Sequence, residues 1–343
     1  MSTRESKGRR WSVLVVYLTF VISALLPRAS SESLHHLEAS RMSMACLYTI
    51  HAYAAADEHT LRNTLEAALD EVDRIDRLMS HYKPDSPLST INREAAHHPV
   101  AVDPELFAFI KRSMEYSLQS GGAFDITVGP LMKAWGFFRG DGHLANPDEL
   151  TAARARVGAH HVLLDEGART IRFDTDGVQL DLGGIAKGYA VDRVVAILRQ
   201  RQITAALVSA GGSTTYGLGA PPGRAGWTVS IQDPVDSAKT AHEVLLNNRS
   251  VSVAGSSEKS FEAGGIRYSH IMDPRSGQPV QGLLSVVVLT DTGTDGDALD
   301  DALFVLGPEK SGAYLQHHRD AEALFFLPDR HTGWTMVREG ASR

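Results

Sequence analysis

Asp297, Asp300 and Asp301 place three carboxylates within five consecutive positions of the chain. In a helix, Asp297 and Asp301 stand one turn apart on a shared face, with Asp300 beside them. Like charges at that spacing disfavour the helix unless something neutralises them, and a divalent cation does so economically. An all-oxygen set suits Mg²⁺ or Ca²⁺ rather than zinc. The plainer reading is a solvated acidic first turn that complements the helix dipole.

Three other segments could carry chemistry. In Asp181-Leu182-Gly183-Gly184-Ile185-Ala186-Lys187-Gly188-Tyr189-Ala190 a strand ends in a carboxylate, two glycines turn the chain, and a helix begins. Glycine there permits close backbone approach to a ligand, a helix N-terminus favours phosphate, and Lys187 adds positive charge. Ordinary turn geometry explains the same glycines. His270 precedes the Pro274–Gly277 turn, a good place to present a side chain, although a lone histidine is more often structural. Asp125, flanked by Phe124 and followed by Trp135-Gly136-Phe137, suits a planar polar heterocycle or simply a buried turn. The histidine pairs at 35–36, 97–98, 160–161 and 317–318 lack metal-ligand spacing and are expected at the surface.

The elements that must position these residues can be read from periodicity. After a polar stretch, Ser31 to Arg41, residues Met42 to Tyr53 read as a strand. Leu61, Leu65, Ala68, Val72, Ile75 and Met79 recur at helical steps. Asp103-Pro104 starts another helix, for which Phe107, Ile110, Met114 and Leu118 supply the apolar face. From Val162 onward short β-type runs, among them Thr170–Phe173, Ala205–Ser209, Trp227–Ile231, Ser250–Val253, Leu284–Thr290 and Leu324–Leu327, alternate with helices near Ala186–Arg199 and Asp297–Leu306. Tight Gly- or Pro-containing turns join several of them, which predicts an α+β fold with a mixed, largely antiparallel sheet packed with helices. Without a repeat or long linker, residues 42–340 read as one domain behind a signal, residues 1–30, and the polar segment 31–41.

Bulk properties narrow the function. The formal net charge is -7 and no basic block lies outside the extreme N-terminus, which excludes nucleic acid as an expected partner. Arg4, Lys7, Arg9 and Arg10 precede an apolar run from Trp11 to Leu26, then Pro27 and small residues, the pattern of a secretory signal; an uncleaved anchor is the alternative. Export to the periplasm as a soluble protein is the expectation. Cys46 is the single cysteine, so an intrachain disulfide or a multi-cysteine metal site is excluded.

Taken together and in this order, the segments resemble the ApbE family of FAD:protein FMN transferases. The stretches are Asp76–Asn92, Gly122–Leu131, Leu180–Asp192 (LDLGGIAKGYAVD), Ser209–Ser213 (SAGGS), His270–Gly277 (HIMDPRSG) and Asp297–Gly307 (DALDDALFVLG). The resemblance implies Mg²⁺ held by the Gly184 carbonyl, Asp297, Asp300 and Asp301. It implies FAD contacts from Met44, Tyr82, Ala123, Phe124, Asp125, Asp181, Lys187, His270 and Ile271. The implied reaction is attack by a threonine or serine hydroxyl of an acceptor flavoprotein on the FMN-side phosphorus of FAD, with AMP leaving. Lys187 and His270 are its catalytic candidates, His270 as general base because its unperturbed pKa lies near working pH. Hydrolysis of FAD to FMN and AMP, or flavin binding without catalysis, are the alternatives. The chain departs from the family at Asp301, usually threonine, at Met44-Ala45-Cys46, usually Met-Gly-Thr, and at Ala254–Glu258.

Overall fold

The run expected to form one strand folds back on itself. In the structure, a computed structural model that describes residues 34–340, β1 (His35–Ser43) and β2 (Cys46–Ala54) form a hairpin paired along its whole length. The polar stretch is thus largely a strand. Its composition hides this because β1 is an outer strand, with much of its surface open. Met44 and Ala45 form a two-residue turn, with φ of 49° and 61°. Both lie in the left-handed region that two-residue hairpin turns of the I′ type require. The expected signal segment, residues 1–30, lies outside the described residues.

Helix α1 (Glu58–Met79) starts where Asp57 accepts from the Thr60 amide, and it buries Leu61, Leu65, Ala68, Leu69, Val72, Ile75 and Met79. The expected face of the Pro104–Gln119 helix is rotated. Leu106, Phe107, Phe109, Ile110 and Tyr116 are buried, whereas Leu118 is 75% exposed, because Ser113 and Ser117 take the inward positions. Helix α2 (Ala186–Gln200) matches expectation, but α3 spans Gly293–Leu306. Asp297 is therefore in its second turn and buried, which removes the reading of a solvated acidic first turn.

The main sheet adds β3 (Ala205–Ala210), β4 (Thr214–Leu218), β7 (Arg249–Gly255), β8 (Ser285–Thr290), β9 (Glu322–Asp329) and β10 (Gly333–Gly340). Its order is β1-β2-β3-β4-β7-β8-β9-β10, every neighbour antiparallel. One face carries the helices and the larger core. A separate ribbon of β5 (Trp227–Gln232) and β6 (Thr240–Leu246) covers the other face, packing Trp227, Ile231, Val244 and Leu246 against Val251, Val287, Leu289, Leu324 and Phe326. With both faces covered, all six residues of β8 are buried, which is why it reads as a continuous apolar run.

The histidine pairs are not uniformly superficial. His161 is mostly buried and hydrogen-bonds Asp174 at 2.7 Å, and His318 packs between Tyr116 and Tyr314. Among the described residues no helix is long and apolar enough to cross a membrane.

Ala45 holds a conformation that glycine adopts freely and alanine does not. Ala45→Gly should stabilise the fold by about 0.5–1 kcal/mol, the relief of left-handed strain exceeding the added chain entropy. A rise in the denaturation midpoint at unchanged slope is the expected result.

Candidate active site

Helices α2 and α3 meet at an unusually close contact. A Cβ on Gly188 would overlap the Gly293 carbonyl, and one on Gly293 would lie 2.8 Å from the Gly188 carbonyl oxygen. The approach lets each helix cap the other. Asp192 of α2 accepts from the amides of Gly293 and Thr294, at 2.7 and 2.9 Å, and from the Thr294 hydroxyl. Asp297 of α3 accepts from the Gly188 amide at 2.9 Å and from the Thr214 hydroxyl at 2.7 Å. No side chain of α2's own N-cap residue makes such a bond, so the carboxylate from the neighbouring helix meets its positive end.

Around this contact lies a cleft of about 210 Å³. It brings together Tyr82, Ala123, Phe124, Asp125, Asp181, Gly184, Lys187, His270, Ile271, Asp297, Asp300 and Asp301. Only Met44 of the expected set does not line it. Met44 lines an adjoining groove of about 1460 Å³, and Tyr82 and Lys187 line both.

The individual side chains differ in what they can still do. Lys187 donates to the Ser213 hydroxyl at 2.8 Å. Burial opposes its charge, yet Asp297, Glu258 and Asp300 together raise its pKa above the ordinary lysine range. Asp125 accepts from the Thr127 amide and hydroxyl, the Ser117 hydroxyl and the Ala159 amide, so its carboxylate is spent on shaping the turn. Asp181 accepts from the Gly183 amide at 2.8 Å.

Burial, followed by the charge of Asp297, pushes Asp301 up to about 7. Burial and the charges of Asp301 and Asp297 also raise Asp300 well above the carboxylate range. Such a pair favours a cation. A Cβ on Gly184 would collide with the Asp301 carboxylate, so glycine lets the backbone sit against that carboxylate. Among the described residues no three His, Cys, Asp or Glu side chains converge as a metal-binding group. Asp297, Asp300 and Asp301 nonetheless line the cleft together with Gly184, as oxygen-bearing groups a hard cation would accept. Mg²⁺ is ordinarily held by one or two carboxylates with waters and substrate phosphates, and these residues fit it.

A comparison with family models matches residues 44–325 to the ApbE family. The chain belongs to the ApbE family. The FAD:protein FMN transferase of Treponema pallidum is 36% identical over 285 residues, covering 78% of each protein. That of Escherichia coli K12 is 33% identical over 267 residues, covering 75% of this chain and 74% of its own. In fold, the ApbE protein from Thermotoga maritima superposes with a TM-score of 0.80 at 29% identity, covering 89% of this chain and 97% of its own. Flavin transferase ApbE from Vibrio cholerae gives 0.77 at 27% identity, covering 90% and 98%.

In this ApbE cleft and the groove beside it, two side chains escaped the sequence reading. His81 is buried, its Nδ1 lies 3.2 Å from Asp181 Oδ1, and its Nε2 is buried without a partner. Only its place in the Asp76–Asn92 stretch pointed to it. Glu258 lines both the cleft and the groove, with its pKa raised by burial against the opposing pull of Lys187.

His270 differs from expectation. Burial, then the charge of Lys187, lowers its pKa to about 4, so the ring is neutral at working pH. Its Nδ1 lies 3.3 Å from the Lys259 carbonyl, which can only accept, so the proton sits there and Nε2 remains basic. The unfolded chain protonates this histidine near pH 6.5 but the fold resists until about 4, so falling pH favours unfolding across that window. His270→Gln should flatten the fall in melting temperature between pH 6.5 and 4; parallel curves for the two proteins would contradict the burial argument.

Proposed function

We propose that this chain is a FAD:protein FMN transferase that moves FMN from FAD to a threonine or serine hydroxyl of an acceptor flavoprotein, releasing AMP, with Mg²⁺ at Gly184, Asp297 and Asp301. One observation carries the reading: residues from five separated stretches, each implied by the family resemblance, line a single cleft. The flavin transfer itself is what the relatives are named for.

Phosphoryl transfer is catalysed mainly by positioning and by stabilising charge. A Mg²⁺ held by Asp297 and Asp301 would offset the charge of the pyrophosphate and of the departing AMP. Lys187, kept protonated by its carboxylate neighbours, supplies a fixed positive charge in the same cleft. His270 receives the acceptor's hydroxyl proton at Nε2 as the new oxygen–phosphorus bond forms. Its low pKa keeps it unprotonated before substrate arrives, and the negative pyrophosphate raises its basicity once bound. Phe124 and Tyr82 offer apolar surface to the flavin. The signal-like N-terminus supports a periplasmic setting for this activity, with an exported or membrane-attached acceptor.

Incubation of the purified chain with Mg²⁺, FAD and an acceptor domain should yield acceptor heavier by one FMN, with AMP released in equal amount. Asp297→Ala should lower that yield at least 100-fold. AMP release that is equally fast without acceptor would make the protein a hydrolase, and FAD binding without AMP would make it a flavin carrier.

A further inference from the structure

Strand β5 is paired on one side only. It hydrogen-bonds β6, and among the described residues no strand joins its other edge. Five consecutive residues of it, Thr228 to Gln232, line the large groove. Successive side chains of a strand point to opposite faces, so a run without gaps means that the strand turns its edge to the groove. The ribbon's sequence here, WTVSIQ, has neither charge nor proline. The outer strands of the main sheet do carry charges, Glu38 and Arg41 in β1, Arg338 and Glu339 in β10. Such residues ordinarily guard an exposed edge, because its free N–H and C=O groups template another strand. A bulge at Ile231/Gln232 interrupts the β5 register only near its end.

The groove is also continuous with the site of transfer. Tyr82, Gly183, Lys187, Val253, Gly255 and Glu258 line both it and the cleft. A protein substrate must bring a hydroxyl on a backbone to that shared wall. We propose that β5 is the docking edge for the acceptor protein. An extended acceptor segment adds to β5 as a third strand of the ribbon and hands its threonine or serine to the wall formed by Lys187 and Glu258. Main-chain pairing tolerates varied sequence, and the alternating positions Thr228, Ser230 and Gln232 offer polar contacts for selectivity. The six residues of β5 extend about 20 Å, a span suited to a peptide segment. The adenosine half of FAD, the other occupant the groove could take, would engage one or two backbone groups of that edge and leave the rest of the row unpaired. This inference rests on the transferase reading and says how that site's protein substrate is held.

The test uses the full chain and a flavoprotein domain that it labels with FMN. Adding the domain should slow amide hydrogen exchange at Trp227–Gln232. Ser230→Pro and Ser230→Lys should raise the acceptor KM at least tenfold while FAD affinity stays within twofold. The exchange measurement needs no variant, so it decides even if the proline variant does not fold. Labelling that proceeds with an unchanged KM in the lysine variant and unprotected β5 amides sinks the docking edge and leaves the transferase reading standing. FAD affinity falling as much as KM rises would seat the adenosine half in the groove and overturn the proposal. A wild-type chain that labels no acceptor at all removes the transferase reading, and the docking edge with it.

Discussion

The contact between Gly188 and Gly293 sets the rest of the site. Two helices whose backbones approach this closely can exchange caps, and both do so with aspartates that side-chain spacing alone would leave as surface charges. Asp192 meets the amides that open α3, and Asp297 meets an amide in the first turn of α2. Any larger residue at position 188 would drive the helices apart, and with them the carboxylate from the strand-to-helix turn at Gly184. The eight-stranded sheet supplies the floor that makes the approach rigid. Thr214 of β4 holds the remaining oxygen of Asp297, and the Ser213 hydroxyl receives Lys187.

Charge balance follows from that geometry. Lys187 faces Asp297, Asp300 and Glu258, and Asp301 stands against Asp297 in the same buried corner. Burial first, and then repulsion that one ammonium among four carboxylates does not cancel, push Asp300 and Asp301 toward their protonated forms. On the proposed function, a divalent cation would answer the carboxylates and Lys187 the phosphates of a pyrophosphate. The aspartate at 301 adds a further carboxylate to the corner that Asp297 and Asp300 already occupy. The neutral, buried His270 completes the pattern: an unprotonated imidazole lines the same cleft as the crowded carboxylates.

Much of this was legible in the residues. The capped helices, the continuous apolar run of β8 and the glycine turn before α2 follow from local rules that tertiary packing did not override. The site was legible only as a succession of motifs, since each segment alone admitted an ordinary reading. Where the sequence misled, long-range packing was the cause. The His35–Ser43 strand carries polar residues because it borders solvent, so it lacked a strand's signature, and the left-handed Met44-Ala45 turn has none of the usual Asn-Gly chemistry. Asp297 looked like a helix start because Gly293 and Gly296 are poor helix formers; their smallness serves the contacts with α2 and with Ser252. His270's lowered pKa and His81's approach to Asp181 depend on residues far apart in the chain, and no local pattern records them.

The helix contact is best tested with Gly188→Ala, by calorimetric titration of Mg²⁺ in the presence of FAD alongside far-ultraviolet circular dichroism. If the Gly188–Gly293 approach is what aims Asp297 at the cation, the variant keeps its helix content but binds Mg²⁺ at least tenfold more weakly. A variant that folds with Mg²⁺ affinity within twofold of the wild type would contradict the account.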